Sequence, residues 1–483
     1  MNIVFAAAEC VPFVKVGGLG DVVGALPSSL ARLGHSVRVF MPHYGLINDE
    51  RFGIEPYHTF EMMWNEATTR VEVARAVQGG VEHYFLRGWP FFAPDEPFVY
   101  HPSDEGIDVG RFLFFCAAML RFVRWLGESE GWRPDIFHLH DWHTALAAHL
   151  LTRVYYEDAI LGAAPTVFSI HNLRYQGWGP GWHLDRAGLP PVEHSMLRAI
   201  DRADNCMAIG IAYSTMISTV SPRYAQEILT PEGGFGLDGL LHARLSRLVG
   251  ILNGVDVGRW NPATSAHLPQ PFDVESLEKR VENKLALQAE LGLPQDASVP
   301  IVAAVMRLVD QKGTDILHPA IRHMLEHTDM QFVLLGTGQY EYEQAFWWIG
   351  RDFPEKAAIK LMFSEPLSER IYAGSDMFVM PSLFEPCGIG QMIAMRYGSL
   401  PVVRAIGGLA DTVPPDVGFL FQDYSPGALQ WALSRALDVY YNHPDDWRER
   451  QRRAMLTDFS WESSARRYVE LYERARVLRS QYA

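Results

Sequence analysis

Short apolar runs recur along almost the whole chain, each closed by a glycine or polar turn and followed by a helix-spaced segment; this alternation leaves few folds open. Residues 3–8 form such a run. Lys15-Val16-Gly17-Gly18-Leu19-Gly20-Asp21 follows as a loop, residues 22–33 carry helix spacing and stop at Gly34, and residues 36–40 form the next run. A run of this length without polar alternation suits a parallel strand buried on both faces, and glycine just past a periodic segment ends a helix. Repeated strand–helix–strand units of this kind build an α/β, doubly wound sheet.

The alternation resumes at 135–139, 166–170 and 215–220, the last closed by Ser221-Pro222. A second series starts near Val249, where Asn253-Gly254-Val255-Asp256 is a turn signal, and continues through 299–306, 331–335, 358–363, 376–380 and 400–403. At 483 residues the chain exceeds what one hydrophobic core usually supports. Two strand–helix domains are expected, 1–247 and 248–459. The last helical segment, 460–483, has no strand after it and is expected to pack where an apolar stripe needs cover, with the N-terminal domain as one such place.

Charge narrows the function. A net charge of −15 argues against a general nucleic-acid binder, which needs a basic surface. Cys10, Cys116, Cys206 and Cys387 are scattered without a CxxC pair, the pattern of reduced thiols in a cytoplasmic protein rather than of a disulfide framework or zinc site. The apolar N-terminus lacks a basic leader and runs into Glu9, so it reads as a buried first strand. No stretch is long and charge-free enough to span a bilayer, and a soluble chain is expected.

Arg307-Leu-Val-Asp-Gln-Lys312-Gly313 places two cations after one apolar run, and Phe384-Glu385-Pro386-Cys387-Gly388 places a carboxylate after another. Ligands of open α/β sheets sit outside the carboxyl ends of the strands. Two cations and one carboxylate gathered there suit a substrate with an anionic half and a hydroxylated half, such as a sugar joined to a nucleoside diphosphate. Departure of the diphosphate builds negative charge that fixed cations stabilise, and Gly313 opens a helix whose N-terminus can also face a phosphate. Either cation alone would be an ordinary solvated side chain. Glu385 is suited to accept hydrogen bonds from sugar hydroxyls. Cys387 has no histidine near it in sequence and reads as a packed thiol beside the site.

The Lys15–Asp21 loop admits a phosphate, because glycines let backbone N–H groups approach an anion. A plain tight turn is the competing reading. A dinucleotide fingerprint is excluded, since Val23 stands where the third glycine belongs, and a Walker loop is excluded because the lysine precedes the glycines. Gly407-Gly408-Leu409-Ala410-Asp411 repeats the form, and two such loops facing one another would make a two-sided anion clamp. His138 and His140 share one strand face, where two imidazoles could meet a metal, but a face covered by helices is ordinary core. No metal is assigned. Asp141 and His143 are instead placed at a strand-to-helix crest facing the cleft. His171-Asn172 ends another strand, and both a structural and a functional role stay open for it.

Taken in order, Lys15-x-Gly-Gly-Leu-x-Asp, His140-Asp-Trp-His, His171-Asn, Thr230-Pro-Glu with Gly-Leu-Asp-Gly239, Asn253-Gly-Val-Asp, Gln311-Lys-Gly, Glu385-Pro-Cys-Gly and Gly407-Gly-Leu-Ala-Asp-Thr make the chain resemble bacterial glycogen synthases and plant starch synthases over nearly its full length. These are retaining glycosyltransferases with two facing Rossmann-like domains (GT-B) and an active site in the interdomain cleft. The resemblance implies transfer of glucose from ADP-glucose to the non-reducing end of an α-1,4-glucan, without metal or cofactor. It places Arg307 and Lys312 on the diphosphate, His171 and Glu385 on the glucose, and Asp141 near the reacting centre. Lys15, Gly17, Gly18, Asp21, Asn253, Phe363, Cys387, Gly388, Gly407 and Gly408 fall on the donor side. A front-face displacement fits, because no carboxylate is assigned beneath the anomeric carbon.

The chain departs from the family pattern at four places: Ile393 replaces a second acid, Phe363 a tyrosine at the adenine pocket, Ala208 a lysine and Met306 a serine. These keep UDP-glucose or a relaxed donor choice as an alternative, together with a weakly active or non-catalytic glucan-binding relative. A phosphorylase-like enzyme needs a pyridoxal lysine, for which the sequence offers no candidate.

Overall fold

A computed structural model describes residues 1–102 and 104–481, which form two compact units: residues 1–254 with the helix Trp461–Ser480, and residues 255–460.

The first unit is built on nine strands: β1 (Asn2–Ala6), β2 (Ser36–Pro42), β3 (Glu55–Trp64), β4 (Ala67–Gln78), β5 (Val81–Gly88), β6 (Ile136–His140), β7 (Thr166–Ile170), β8 (Met216–Thr219) and β9 (Leu248–Gly250). Their order is β3-β4-β5-β2-β1-β6-β7-β8-β9. From β5 to β9 neighbours are parallel, and Val4, Phe5, Ala6, Phe137 and Phe168 are fully buried, as strands covered on both faces must be. β3, β4 and β5 form an antiparallel extension that the βαβ reading did not contain. Its two hairpins turn at Asn65-Glu66 and Gly79-Gly80, all four residues at positive φ, the conformation of two-residue turns that match strand twist. Residues 248–250, expected to open the second series, add the ninth strand here. Gly250 permits it, because a Cβ there would lie 2.4 Å from the Ser221 carbonyl oxygen.

The helix Trp461–Ser480 buries Trp461, Ala465, Tyr468, Leu471, Tyr472 and Ala475 along one stripe, and packs on the helix Gly18–Arg32. Its start lies against Gly254, where a Cβ would meet the Trp461 Cα at 2.6 Å. Further along, Tyr472 reaches His138 in β6 and Arg479 donates to the Gly162 carbonyl.

The second unit carries six parallel strands: β10 (Ile301–Val305), β11 (Gln331–Leu335), β12 (Ala357–Lys360), β13 (Met377–Met380), β14 (Leu400–Arg404) and β15 (Phe419–Phe421), in the order β12-β11-β10-β13-β14-β15. In each unit the order reverses direction at one strand. β1 lies between β2 and β6, and β10 lies between β11 and β13. Loops leaving the carboxyl ends of the strands that flank such a point diverge and leave a crevice. The segments that follow β1, β6, β10 and β13 carry Lys15, Asp141, Arg307, Lys312 and Glu385.

Candidate functional site

In the second unit, backbone contacts bring distant motifs together. Gly313, at φ 72°, would place a Cβ 2.1 Å from the Pro381 carbonyl oxygen, so only glycine lets the loop after β10 lie on the loop after β13. Leu383 N–H donates to Gln311 O at 2.9 Å across the same contact. Lys312 Nζ then donates to Glu385 Oε2 at 2.6 Å, and Ser382 Oγ donates to the same oxygen at 3.0 Å. Glu385 is 4% exposed, and the Lys312 side chain keeps 19% of its surface exposed. Arg307 is exposed, and no described residue pairs with its guanidinium. The two cations expected on the diphosphate are thus unequal: one is a counter-ion already, the other is uncommitted.

The loop after β14 closes the same cluster. Gly408 N–H donates to Glu385 O at 3.0 Å, and a Cβ on Gly408 would sit 2.2 Å from Cys387 O. Buried Gln391 donates to the carbonyls of Cys387 and Gly388 and to Thr412 Oγ1, while Thr412 Oγ1 donates to Gly408 O at 2.6 Å. Gly388, at φ 73°, and Gly407, at φ 47°, hold left-handed turns on either side. Cys387 is buried among them. Phe363 follows β12 and is 88% exposed, a bare ring open to stacking.

In the first unit the loop after β1 is organised by a residue that sequence reasoning passed over. Glu9 is buried, and its Oε2 accepts the backbone N–H groups of Val16 and Gly17 at 2.6 and 2.7 Å while Oε1 accepts the Tyr100 hydroxyl at 2.5 Å. The expectation that Gly17 lends its N–H to an external anion is therefore corrected: the loop holds its own carboxylate. The same correction applies to Gly408, whose N–H is spent on Glu385 O, so the paired Gly-Gly-Leu loops do not form an anion clamp through these N–H groups. Gly18 differs. It is exposed and a Cβ there would meet nothing within 4 Å, leaving room beside the loop. Lys15 Nζ and Asp21 Oδ1 form an exposed ion pair at 2.7 Å.

Asp141, just after β6, has φ 56° and ψ −179°, a conformation close to one that only glycine visits without strain. It is 7% exposed. Its Oδ1 accepts the His171 backbone N–H at 2.8 Å, and its own N–H donates to Ser169 O. Burial pushes the Asp141 carboxyl up to about 7, with Glu9 adding to the rise, against the pull of N–H donors from His171 and Asn172. Strain of this kind costs about 1–3 kcal/mol and persists where the surroundings over-determine it, most often at functional sites. Sequence identity alone could not reveal it.

Of these histidines, one pair meets nitrogen to nitrogen, and His138 bonds to hydroxyl partners. His138 Nδ1 meets the Tyr472 hydroxyl at 2.8 Å and its Nε2 meets Ser169 Oγ at 2.6 Å. His140 Nδ1 lies 2.9 Å from His171 Nε2. Burial lowers His171 and His143 to about 3 and holds His138 and His140 well below the usual imidazole range. His143 stacks on Tyr100 at 5.1 Å. Asn253, ahead of the crossing into the second unit, is buried with no partner for its Oδ1. Ala208 fills the third position of the helix Cys206–Tyr213, where its N–H donates to Asn205 Oδ1.

Two family models match successive parts of the chain. Residues 2–243 match the family model of the starch synthase catalytic domain, and residues 291–454 that of group 1 glycosyl transferases. The chain is similar to a glycogen synthase of Syntrophotalea carbinolica, 42% identical over 487 residues that cover 98% of this chain and 99% of the relative. It is 43% identical over 480 residues to a glycogen synthase of an Anaeromyxobacter species, with the same coverage. Among solved structures it is similar to the catalytic domain of starch synthase IV from Arabidopsis thaliana bound to ADP and acarbose, with a TM-score of 0.87 and 34% identity over 99% of both chains. A sucrose-phosphate synthase from Thermosynechococcus elongatus shares the fold, with a TM-score of 0.60 and 17% identity over 98% of both chains.

Proposed function

The chain belongs to the glycogen synthase and starch synthase family, and from that premise we propose that its donor is ADP-glucose and that the residues described above divide the work of transfer. It is a GT-B glucosyltransferase of the glycogen/starch synthase type. In the proposed reading Arg307 and Lys312 hold the diphosphate, Glu385 and His171 hold the glucose, and Asp141 lies near the reacting centre. Lys15, Gly18, Asp21, Asn253 and Phe363 serve the donor and its surroundings, with Gly388, Gly407 and Gly408 shaping the turn that carries Glu385. The acceptor is an α-1,4-glucan. The observation that carries the reading is the Lys312–Glu385 contact at 2.6 Å beside an uncommitted Arg307, which sets cations and a carboxylate together at the carboxyl ends of adjacent strands.

In a front-face displacement the bond from the anomeric carbon to the leaving phosphate oxygen breaks as the acceptor oxygen bonds to the same face. The acceptor proton passes to that phosphate oxygen. Charge then grows on the diphosphate, where fixed cations in a water-poor site are worth most. The chemistry asks the protein for positioning and charge and for no further co-reactant. A cytoplasmic location is part of the reading: all four cysteines are free and buried, and among the described residues no helix is long and apolar enough to cross a membrane.

Donor choice supplies the test. The starch synthase IV structure holds ADP, which supports an adenine donor. Phe363 can stack on either base, and discrimination needs polar groups that reject the wrong one. We expect a higher kcat/KM for ADP-glucose than for UDP-glucose. If a hydroxyl at position 363 contributes, Phe363→Tyr widens the gap. A wild-type preference for UDP-glucose would sink the donor assignment and leave the glucosyltransferase standing.

A further inference from the structure

We propose that His140 is a positioning residue that holds His171 in its Nδ1–H tautomer, so that His171 offers the transferred sugar a hydrogen-bond donor; this rests on the reading above in which His171 holds the glucose.

One proton is shared between His140 Nδ1 and His171 Nε2, 2.9 Å apart, and the rest of His140 decides which nitrogen carries it. His140 is fully buried, and its Nε2 has no hydrogen-bond partner. The neighbouring rings give it none. Phe5, with centroid 5.1 Å away, has no polar atom, and His138, with centroid 4.1 Å away, has both nitrogens engaged with Tyr472 and Ser169. Burial keeps both His140 and His171 uncharged at neutral pH, so each ring has a single proton to place.

Were His171 to donate from Nε2, His140 would have to carry its own proton on Nε2, leaving a buried N–H without an acceptor. Orphaned buried N–H groups are rarer in proteins than orphaned acceptors. With the proton on His140 Nδ1, the orphan is only a lone pair. His171 Nε2 then accepts, and its proton is fixed on Nδ1, the one ring nitrogen left for a ligand. The backbone holds the ring as well, since His171 N–H donates to Asp141 Oδ1. Orientation and tautomer are thus set by the two consecutive residues His140 and Asp141, which explains why a histidine with no route to solvent occupies the end of β6.

The test is long-range proton–nitrogen NMR of the full chain labelled with ¹⁵N-histidine, with the His171 signals identified by their loss in His171→Gln. Wild type is expected to show His171 protonated on Nδ1 and accepting on Nε2. His140→Leu is expected to shift it toward Nε2–H and lower kcat roughly ten- to a hundredfold, the range for losing an oriented outer partner. His140→Asn places an amide N–H near the position of Nδ1 and is expected to restore both the tautomer and most of the rate. Nε2–H in wild type, or an unchanged tautomer in His140→Leu, overturns the proposal without needing any activity measurement. Normal turnover by His171→Ala overturns the sugar-holding reading instead, and the donor role with it, whatever the tautomer.

Discussion

Lys312 Nζ stands 2.6 Å from Glu385 Oε2, although 73 positions separate the two in the chain. The cation assigned to the diphosphate is therefore also the counter-ion of the carboxylate assigned to the sugar, and a change at either residue alters the charge that the other faces. Glu385 is the more buried of the two, so losing Lys312 strands a charge, whereas losing Arg307 strands nothing.

From this, Arg307→Ala and Lys312→Ala should each lower kcat by about 10²–10³ while glucan binding changes little, because the lost interaction grows with the leaving-group charge. Their stabilities should differ. Lys312→Ala should be destabilised by about 3–5 kcal/mol, the cost of breaking a buried pair, and Arg307→Ala should stay within about 0.5 kcal/mol of wild type. Denaturant titration separates them, and equal stability would show that the pair is not holding the site together. Glu385→Ala should lose turnover yet bind ADP as tightly as wild type or more tightly, since Lys312 is released. Weaker ADP binding by calorimetry would move Glu385 onto the nucleotide.

Asp141 should govern a pH dependence. Its carboxyl titrates near 7 in the folded protein and near the ordinary value of about 3.9 when unfolded. The folded state therefore binds the extra proton between those limits, and stability falls as pH rises from 4 through 7. Asp141→Asn should be more stable than wild type above pH 7, and the gap should close as pH drops toward 4. Asp141→Gly relieves about 1–3 kcal/mol of backbone strain at φ 56° but strands the buried His171 N–H at a similar cost, so its stability should stay close to that of Asp141→Asn. Both variants should lose activity. Parallel unfolding curves for wild type and Asp141→Asn at pH 5 and pH 8 would contradict the raised carboxyl.

Two glycines should respond in opposite ways to one added methyl. Gly408→Ala forces a Cβ to within 2.2 Å of Cys387 O and should cost about 1–3 kcal/mol while displacing the turn that carries Glu385. Gly18→Ala meets nothing and lies in the first turn of a helix, so its stability should match wild type or rise by about 0.5–1 kcal/mol. Its effect should fall on the donor KM. An unchanged KM would remove Gly18 from the donor side.

EDTA should leave turnover intact. Arg307 and Lys312 supply the charge a divalent ion would otherwise bring, and His138 and His140 are committed to Tyr472, Ser169 and His171. Activity lost to EDTA and restored by a divalent ion would return these side chains to consideration as ligands.

The parallel strands were legible because burial on both faces writes a continuous apolar run: 166–170 and 331–335 read from sequence coincide with β7 and β11. The antiparallel extension was missed although Gly79-Gly80 signals its second turn, since β3 and β4 interleave polar residues with a half-exposed face. Arg307, Lys312 and Glu385 were singled out because they follow strand ends, and the structure brings Lys312 and Glu385 into contact. Glu9, Ser382 and Gln391 were not, because their importance lies in which distant backbone groups they meet. The same holds for His140, whose role depends on a nitrogen that finds no partner.

The return of the helix Trp461–Ser480 to the first unit has a consequence for synthesis. Ribosomes release a chain at about 5–20 residues per second, and domains ordinarily close in the order they emerge. Here residues 1–254 must wait for the helix that covers β6, while the continuous segment 255–460 emerges with everything its own sheet needs. For roughly 10–40 seconds at that rate the nascent first unit presents an uncovered His138 face to chaperones and to other chains on the same messenger. The half of the protein made first is the half completed last.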